Sequence, residues 1–391
     1  MRLAQLPADS KLSRYPWKGC CKPSCRMARV HLAVFAPVMT CALLASEGLP
    51  AKETRPSLIA RSQVWMPTDV ATMDIKTGPA AKDAFPFLAT VQCEYLKKQL
   101  SGKSPKFACT IAPDDEVKVK FGGANGEVYA EVAATRLLWA LGFGADRMFP
   151  VKVLCRKCPA EFGGTEMSDG NRLFDPATIE RKMPGRDYPG TPGWSWQELE
   201  TVDERAGGAS RAQRDALKLL AVFIQHTDSK PEQQRLICLK DAKTEKTEAI
   251  TETTENAEGA TSCAHPFMLL NDVGVTFGHA NTFNANSTGS MNFNEWSRTP
   301  IWKAPTKCVA NLPKSMTGTL DNPTISEEGR QFLANLLGKL SDSQIHDLFE
   351  VSRVHLRLRS PRDIKSGVAS IDDWVDVFKR KRDEIATRHC E

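Results

Sequence analysis

Between His226 and Arg235 the chain reads His226-Thr-Asp-Ser-Lys-Pro-Glu-Gln-Gln-Arg235, and three of these side chains could share one reaction. A carboxylate at Asp228 could orient an incoming hydroxyl and accept its proton. An ammonium at Lys230 could offset charge on a transferred phosphoryl group, and the amide of Gln233 could turn back to a metal held between phosphates. Taken alone, this is also what a solvated helix end looks like. A second element adds weight: Met268-Leu-Leu-Asn-Asp-Val-Gly274 is an apolar strand ending in an aspartate. A carboxylate there is costly unless it is paired or bound to a metal, so Asp272 is a candidate metal ligand. The Asp-x-Gly triplet by itself is common by chance.

Upstream, Val117-Lys-Val-Lys-Phe121 alternates with period two and precedes a helix carrying Glu127 and Glu131. A strand lysine paired with a helix glutamate can hold nucleotide phosphates. Lys120 is preferred over Lys118 because it ends the alternating run beside Phe121-Gly122-Gly123. Glu131 is preferred over Glu127 because it sits inside the helix among apolar neighbours, where a carboxylate needs a partner. Either lysine could instead be an ordinary solvent-facing strand residue. The joint order is the stronger signal: strand lysine, helix glutamate, loop aspartate, strand-end aspartate.

The elements that would position these residues can be read from periodicity. Strands are expected at 85–93, 106–111, 117–121, 149–154 and 178–183. A helix buried on several sides should open at Asn125-Gly126-Glu127, run to Leu141 and stop at Gly142. Ser210-Arg-Ala-Gln213 is a capping-box pattern opening a helix to Ile224. Strands 235–239 and 266–270 flank a Thr/Glu/Lys/Ala insertion at 241–262 that lacks periodicity. Residues 279–322 read as a long irregular segment, and helices at 327–340, 343–352 and 371–388 close the chain. The order is strands with one helix, then mostly helices.

With these residues in place, the chain resembles the protein-kinase-like superfamily, nearest to its HipA-type and phosphoinositide-kinase-type branches. The stretch from His226 to Gln233 is similar to the catalytic loop, Asp272-Val-Gly274 to the metal-binding triplet, and Ala130–Gly142 to the glutamate-bearing helix. Ser101-Gly-Lys-Ser-Pro-Lys106 is similar to the turn that covers nucleotide phosphates in HipA-type kinases. The resemblance spans roughly 86–390 and implies an α+β, two-lobed fold: a strand-rich N-lobe with one buried helix over 86–183, and a mainly helical C-lobe over 184–391. It implies ATP and Mg2+ as cofactors. Asp228 and Lys230 would be catalytic, Lys120, Glu131, Gly102, Ser104 and Lys106 would bind nucleotide, and Asp272 and Gln233 would bind metal. Two departures stand out. Gln233 replaces an asparagine one methylene shorter, and Thr227 replaces the arginine through which regulated kinases receive an activation-loop phosphate. The Ser101–Lys106 turn could equally be a plain hairpin turn. The whole chain also resembles a family of bacterial exported proteins, a likeness that supplies no activity.

Bulk properties set outer bounds. The 391 residues carry a formal charge of +5 and no long single-sign block, so a dedicated nucleic-acid binder is not expected. From Met27, a second possible start, Arg29 and His31 precede an apolar run of about fifteen residues, the length of a secretory h-region. Export is therefore expected, to the periplasm or beyond, or membrane anchoring if residues 1–51 stay uncleaved; no other stable span is expected. Residues 52–85 have no apolar period and read as linker. Eight cysteines follow Ala51 and could form disulfides in an oxidising compartment. Cys155-Arg-Lys-Cys158 fits a local disulfide or plain thiols better than zinc or redox chemistry, and Cys238 and Cys263 could face each other across a hairpin. Gly102-Lys103-Ser104 is not a phosphate-binding Walker loop, and Asn286-Ser-Thr288 is a chance-level glycosylation sequon. Three functions compete: phosphoryl transfer to an unknown hydroxyl acceptor (or AMP transfer by the same fold), a catalytically inactive kinase-like binding module, and an unrelated α+β protein.

Overall fold

The computed structural model describes residues 53–188, 193–239, 263–278, 290–304, 307–357 and 369–390. The expected secretory segment, the insertion at 241–262 and the sequon at Asn286 lie outside the described residues. The described residues belong to one compact unit, Lys52–Glu391, of mixed α and β content.

The first sheet holds β1 (Thr90–Leu96), β2 (Lys106–Ile111), β3 (Asp115–Phe121), β4 (Arg147–Arg156), β5 (Thr165–Glu166) and β6 (Arg172–Arg181) in the order β3-β2-β1-β4-β6-β5. β1 runs parallel to β4, and the other pairs are antiparallel. β3 also pairs with β6, through Lys118↔Glu180 and Lys120↔Thr178. Period-two alternation sends Val117, Val119 and Phe121 of β3 into an apolar core with Phe107, Phe149 and Phe174. Lys118 and Lys120 consequently share the opposite face. The Cys93–Cys109 disulfide staples β1 to β2, and Cys155–Cys158 closes the end of β4.

α2 (Glu127–Ala140) packs on β4 on one side and on α7 (Asp342–Ser352) on the other, which explains apolar residues around most of its circumference. It stops at Gly142, whose φ is +84°; a Cβ there would fall 2.1 Å from the Met66 carbonyl oxygen. After α3 (Trp196–Leu199), α4 (Arg211–Phe223) opens with the capping box read from Ser210 and Gln213. It packs on α6 (Glu327–Leu337), and α8 (Ile371–Ala386) packs on α6 and α7. The second sheet, β7 (Arg186–Asp187), β8 (Gln234–Cys238) and β9 (Pro266–Leu270), is antiparallel in that order, with Cys238–Cys263 joining the two longer strands' ends. Cys308–Cys390 ties the C-terminus back.

Two stretches are more ordered than their composition suggests. Residues 52–85, expected as linker, include α1 (Arg55–Arg61), and Leu58, Ile59, Val64, Val70 and Ile75 are buried in the main core. Their burial follows the path of a chain wrapped around other elements, so it has no helix or strand period. Within 279–322, Phe293–Arg298 forms α5, capped by Asn292 and anchored by the buried Trp296. Among the described residues no helix is long and apolar enough to cross a membrane.

Candidate functional site

Lys120 lies on the face of β3 that meets the first two turns of α2, and it is only 1% exposed. Its Nζ donates to Glu131 Oε1 at 2.6 Å and to Glu127 Oε2 at 2.8 Å, and lies 4.0 Å from Asp272 Oδ1. Burial alone would lower its pKa. The carboxylates of Asp272, Glu131 and Glu127 outweigh that and raise it well above the usual lysine value, so Lys120 is a fixed cation. Lys118, on the same face, pairs with Glu180 of β6. Glu127, the glutamate not preferred from sequence, thus shares the lysine with Glu131.

The crowding of carboxylates leaves a mark. Burial, opposed by Lys120 and reinforced by Asp272 and Glu127, pushes Glu131 up to about 8. Burial would also push Asp272 up, but Lys120 and Lys118 overcome it, and the Gly274 amide donates to Oδ1 at 3.2 Å; its pKa is lowered. A Cβ on Gly274 would sit 2.8 Å from Glu127 Cγ, so the glycine lets the Asp272 turn close against α2.

The turn between β1 and β2 is a hairpin connection, and it also brings charge to the site. Gly102 has φ +83°, and a Cβ there would fall 2.7 Å from Lys106 Nζ, so Lys106 is folded back over the turn. Its ammonium donates to Ser104 Oγ at 3.3 Å. Lys106 pairs in register with Lys120, and burial followed by the Lys120 charge lowers its pKa.

The loop after α4 is positioned from several directions. Gln225 takes φ +52°, the His226 amide donates to Ala221 O, and the Phe277 amide donates to Ile224 O at 2.6 Å. His226 is fully buried and kept neutral, its pKa lowered to about 4 by burial against the pull of Asp228 and Asp272. Asp228 Oδ2 accepts from Gln233 Nε2 at 2.8 Å and from Lys230 Nζ at 3.3 Å. The Gln233 carbonyl accepts from the Asn271 and Asp272 amides at 3.0 and 3.3 Å. One residue therefore holds Asp228 with its side chain and Asp272 with its backbone. Ser229 anchors the loop from behind: its carbonyl accepts from the Thr319 amide and hydroxyl, and its Oγ from the Leu320 amide. Thr319 lies in a polar, aperiodic stretch, and no sequence signal singles it out.

The structure thus joins Lys120, Glu131, Asp272, Gln233, Asp228 and Lys230 in one run of contacts, with Lys106, Ser104 and Gly102 on the adjoining hairpin. The amide nitrogen of Gln233 is committed to Asp228, so its oxygen is the atom left for a cation.

No family model matches the chain, and no curated protein matches it. Among solved structures it is similar to a proinflammatory kinase of Helicobacter pylori, CtkA, at 10% identity over 77% of this chain and 95% of that one, with a TM-score of 0.40. It is also similar to the Golgi casein kinase in a structure with Mn and ADP bound, at 11% identity over 76% of this chain and 72% of that one, with a TM-score of 0.31. These overlaps are too loose for function to follow from them.

Proposed function

We propose that this chain is an exported, two-lobed kinase-like protein that binds ATP with magnesium and transfers a phosphoryl group to a hydroxyl acceptor. The observation that carries the reading is the unbroken run from Glu131 through Lys120 and Asp272 to Gln233, Asp228 and Lys230. Such an arrangement supplies positioning and fixed charge, which is what phosphoryl transfer asks of a protein. Lys120, held by Glu127 and Glu131, is placed to bind phosphate oxygens, with Lys106 and Ser104 covering them from the hairpin. Asp228 orients the acceptor hydroxyl and takes its proton as the acceptor oxygen bonds to the γ-phosphorus and the bond to ADP breaks. Lys230 offsets the charge that moves.

Asp272 and the Gln233 amide oxygen are hard oxygen donors of the kind magnesium prefers. The local balance fits too: Lys106, Lys118 and Lys120 face Glu127, Glu131, Glu180 and Asp272, so incoming phosphates need further positive charge. When held by Asp272 and Gln233, the ion would supply positive charge against the phosphates. The same groups could serve AMP transfer. Four disulfides join all eight cysteines of the described residues, which supports an oxidising compartment. Glutamine rather than the expected asparagine at position 233 favours a second reading, a binding module with weakened metal affinity.

Thermal shift with ATP and magnesium, beside Asp272→Ala, tests the first reading. A metal-dependent rise in Tm that disappears in the variant supports it. No shift in either folded protein rejects nucleotide binding.

A further inference from the structure

The second half of α2 forms one wall of a cavity of about 410 Å3, beyond the lysine–glutamate contacts of its first half. That volume lies within the range of small-molecule sites, ~300–1,000 Å3. Met66, Pro79, Trp139, Phe143 and Met183 make its lining mainly apolar. Asp146, Arg147 and Arg136 are the charged side chains in that lining, and the one that matters here is Arg136. It is 2% exposed, its guanidinium lies over the Phe149 ring at 5.2 Å, and its Nε is buried with no acceptor among the described residues. Burial lowers its pKa only to about 10, so it stays charged at neutral pH.

The neighbouring charges are already engaged. Asp146, on the same wall, accepts from Arg235 at 2.6 Å and from the Met183 amide at 2.8 Å. Arg147 makes a two-pronged pair with Asp83 at 2.9 and 2.8 Å. Asp74 feels the Arg136 charge but is exposed and accepts from the Thr77 amide. The loop holding Gly78 is shaped around the guanidinium: Gly78 has φ +77°, and a Cβ there would fall 1.5 Å from Arg136 Nη1. A buried guanidinium whose Nε–H has no acceptor is costly, and a carboxylate can engage a guanidinium through two parallel hydrogen bonds.

We infer that this cavity binds a small apolar monocarboxylate, with Arg136 as the counter-charge for its head and the apolar lining around its tail. The inference does not depend on the nucleotide site. Calorimetric titration of the purified full chain with decanoate and with decanol, which share a tail and differ in the head, tests it. Decanoate should saturate one site and bind at least about ten-fold more tightly than decanol, as expected for a charge-assisted contact. Arg136→Met should erase that preference and leave weak apolar binding. Ala81→Phe, which fills the cavity from an exposed loop and leaves Arg136 intact, should abolish binding of both. Absence of saturable decanoate binding to folded wild type, equal affinity for the two compounds, or unchanged binding in the folded Ala81→Phe protein would each overturn the assignment.

Discussion

Replacing Lys120 by methionine keeps the length of the side chain and removes the charge that three carboxylates share. Lys120 is 1% exposed, with Glu131 at 2.6 Å, Glu127 at 2.8 Å and Asp272 at 4.0 Å. Removing one partner of a buried ion pair costs ~3–5 kcal/mol, because the other charge stays buried. At about 1.4 °C per kcal/mol for a unit of this size, Tm should fall by roughly 4–7 °C. The cost should depend on pH. Glu131 already sits at about 8 through burial, and without Lys120 it moves higher, so the folded variant holds a proton that the unfolded chain releases. Folded wild type also keeps that proton up to about pH 8, so the penalty should be smaller at pH 7 than at pH 9.5. Adding Glu131→Gln removes a carboxyl that must take up a proton on folding and should recover ~1–3 kcal/mol of coupling energy. Denaturant unfolding of the four proteins of this cycle gives the stability terms, and thermal shift with ATP and magnesium gives the functional one. The nucleotide shift should vanish in both Lys120→Met proteins, including the double variant that regains stability. A Lys120→Met protein as stable as wild type, or one that keeps its ATP shift, would refute the cluster as a phosphate site.

Two further outcomes follow from groups outside the site. Cys308 and Cys390 close a loop of sequence separation 82, so Cys308→Ser with Cys390→Ser should lose ~2–5 kcal/mol in denaturant unfolding without changing nucleotide binding. Lys381 is buried over the Trp296 ring and donates to Thr299 O, and burial pulls its pKa from 10.5 to about 8. The unfolded chain then binds this proton more tightly than the folded one. Stability should accordingly rise as pH climbs from about 8 to 10.5, by at most ~3 kcal/mol, and Lys381→Met should flatten that slope.

Much of the arrangement was legible because it rests on local rules. The alternation of Val117, Lys118, Val119 and Lys120 places both lysines on one face whatever the rest of the chain does. The apolar circumference of 127–141 marks a helix covered on several sides, and the capping box at Ser210 marks the element before the Asp228 loop. What stayed hidden depends on long-range contact. Leu58, Ile59, Val64, Val70 and Ile75 are core residues that lack any period, so 52–85 reads as linker although it is packed. Thr319 anchors Ser229 from ninety residues away. Arg136 reads as one more residue of a glutamate-bearing helix, and only the approach of the Gly78 loop shows that it is enclosed.

Gln233 shows how a departure from an expected residue type can be reinterpreted by geometry. From sequence, its extra methylene puts metal binding in doubt. In the structure that longer side chain reaches Asp228 at 2.8 Å, while its own carbonyl holds the Asp272 amide at 3.3 Å. Asp228 and Asp272, proposed above to accept the proton and to face the metal, are thus tied through a single residue. A carboxylate that accepts hydrogen bonds from both Gln233 and Lys230 is fixed in orientation before any substrate arrives, and preorganisation of that kind is where electrostatic catalysis finds most of its advantage. The same bond commits the amide nitrogen to Asp228 and leaves the amide oxygen free for a cation, so under the proposed function one side chain would serve both carboxylates at residue 233.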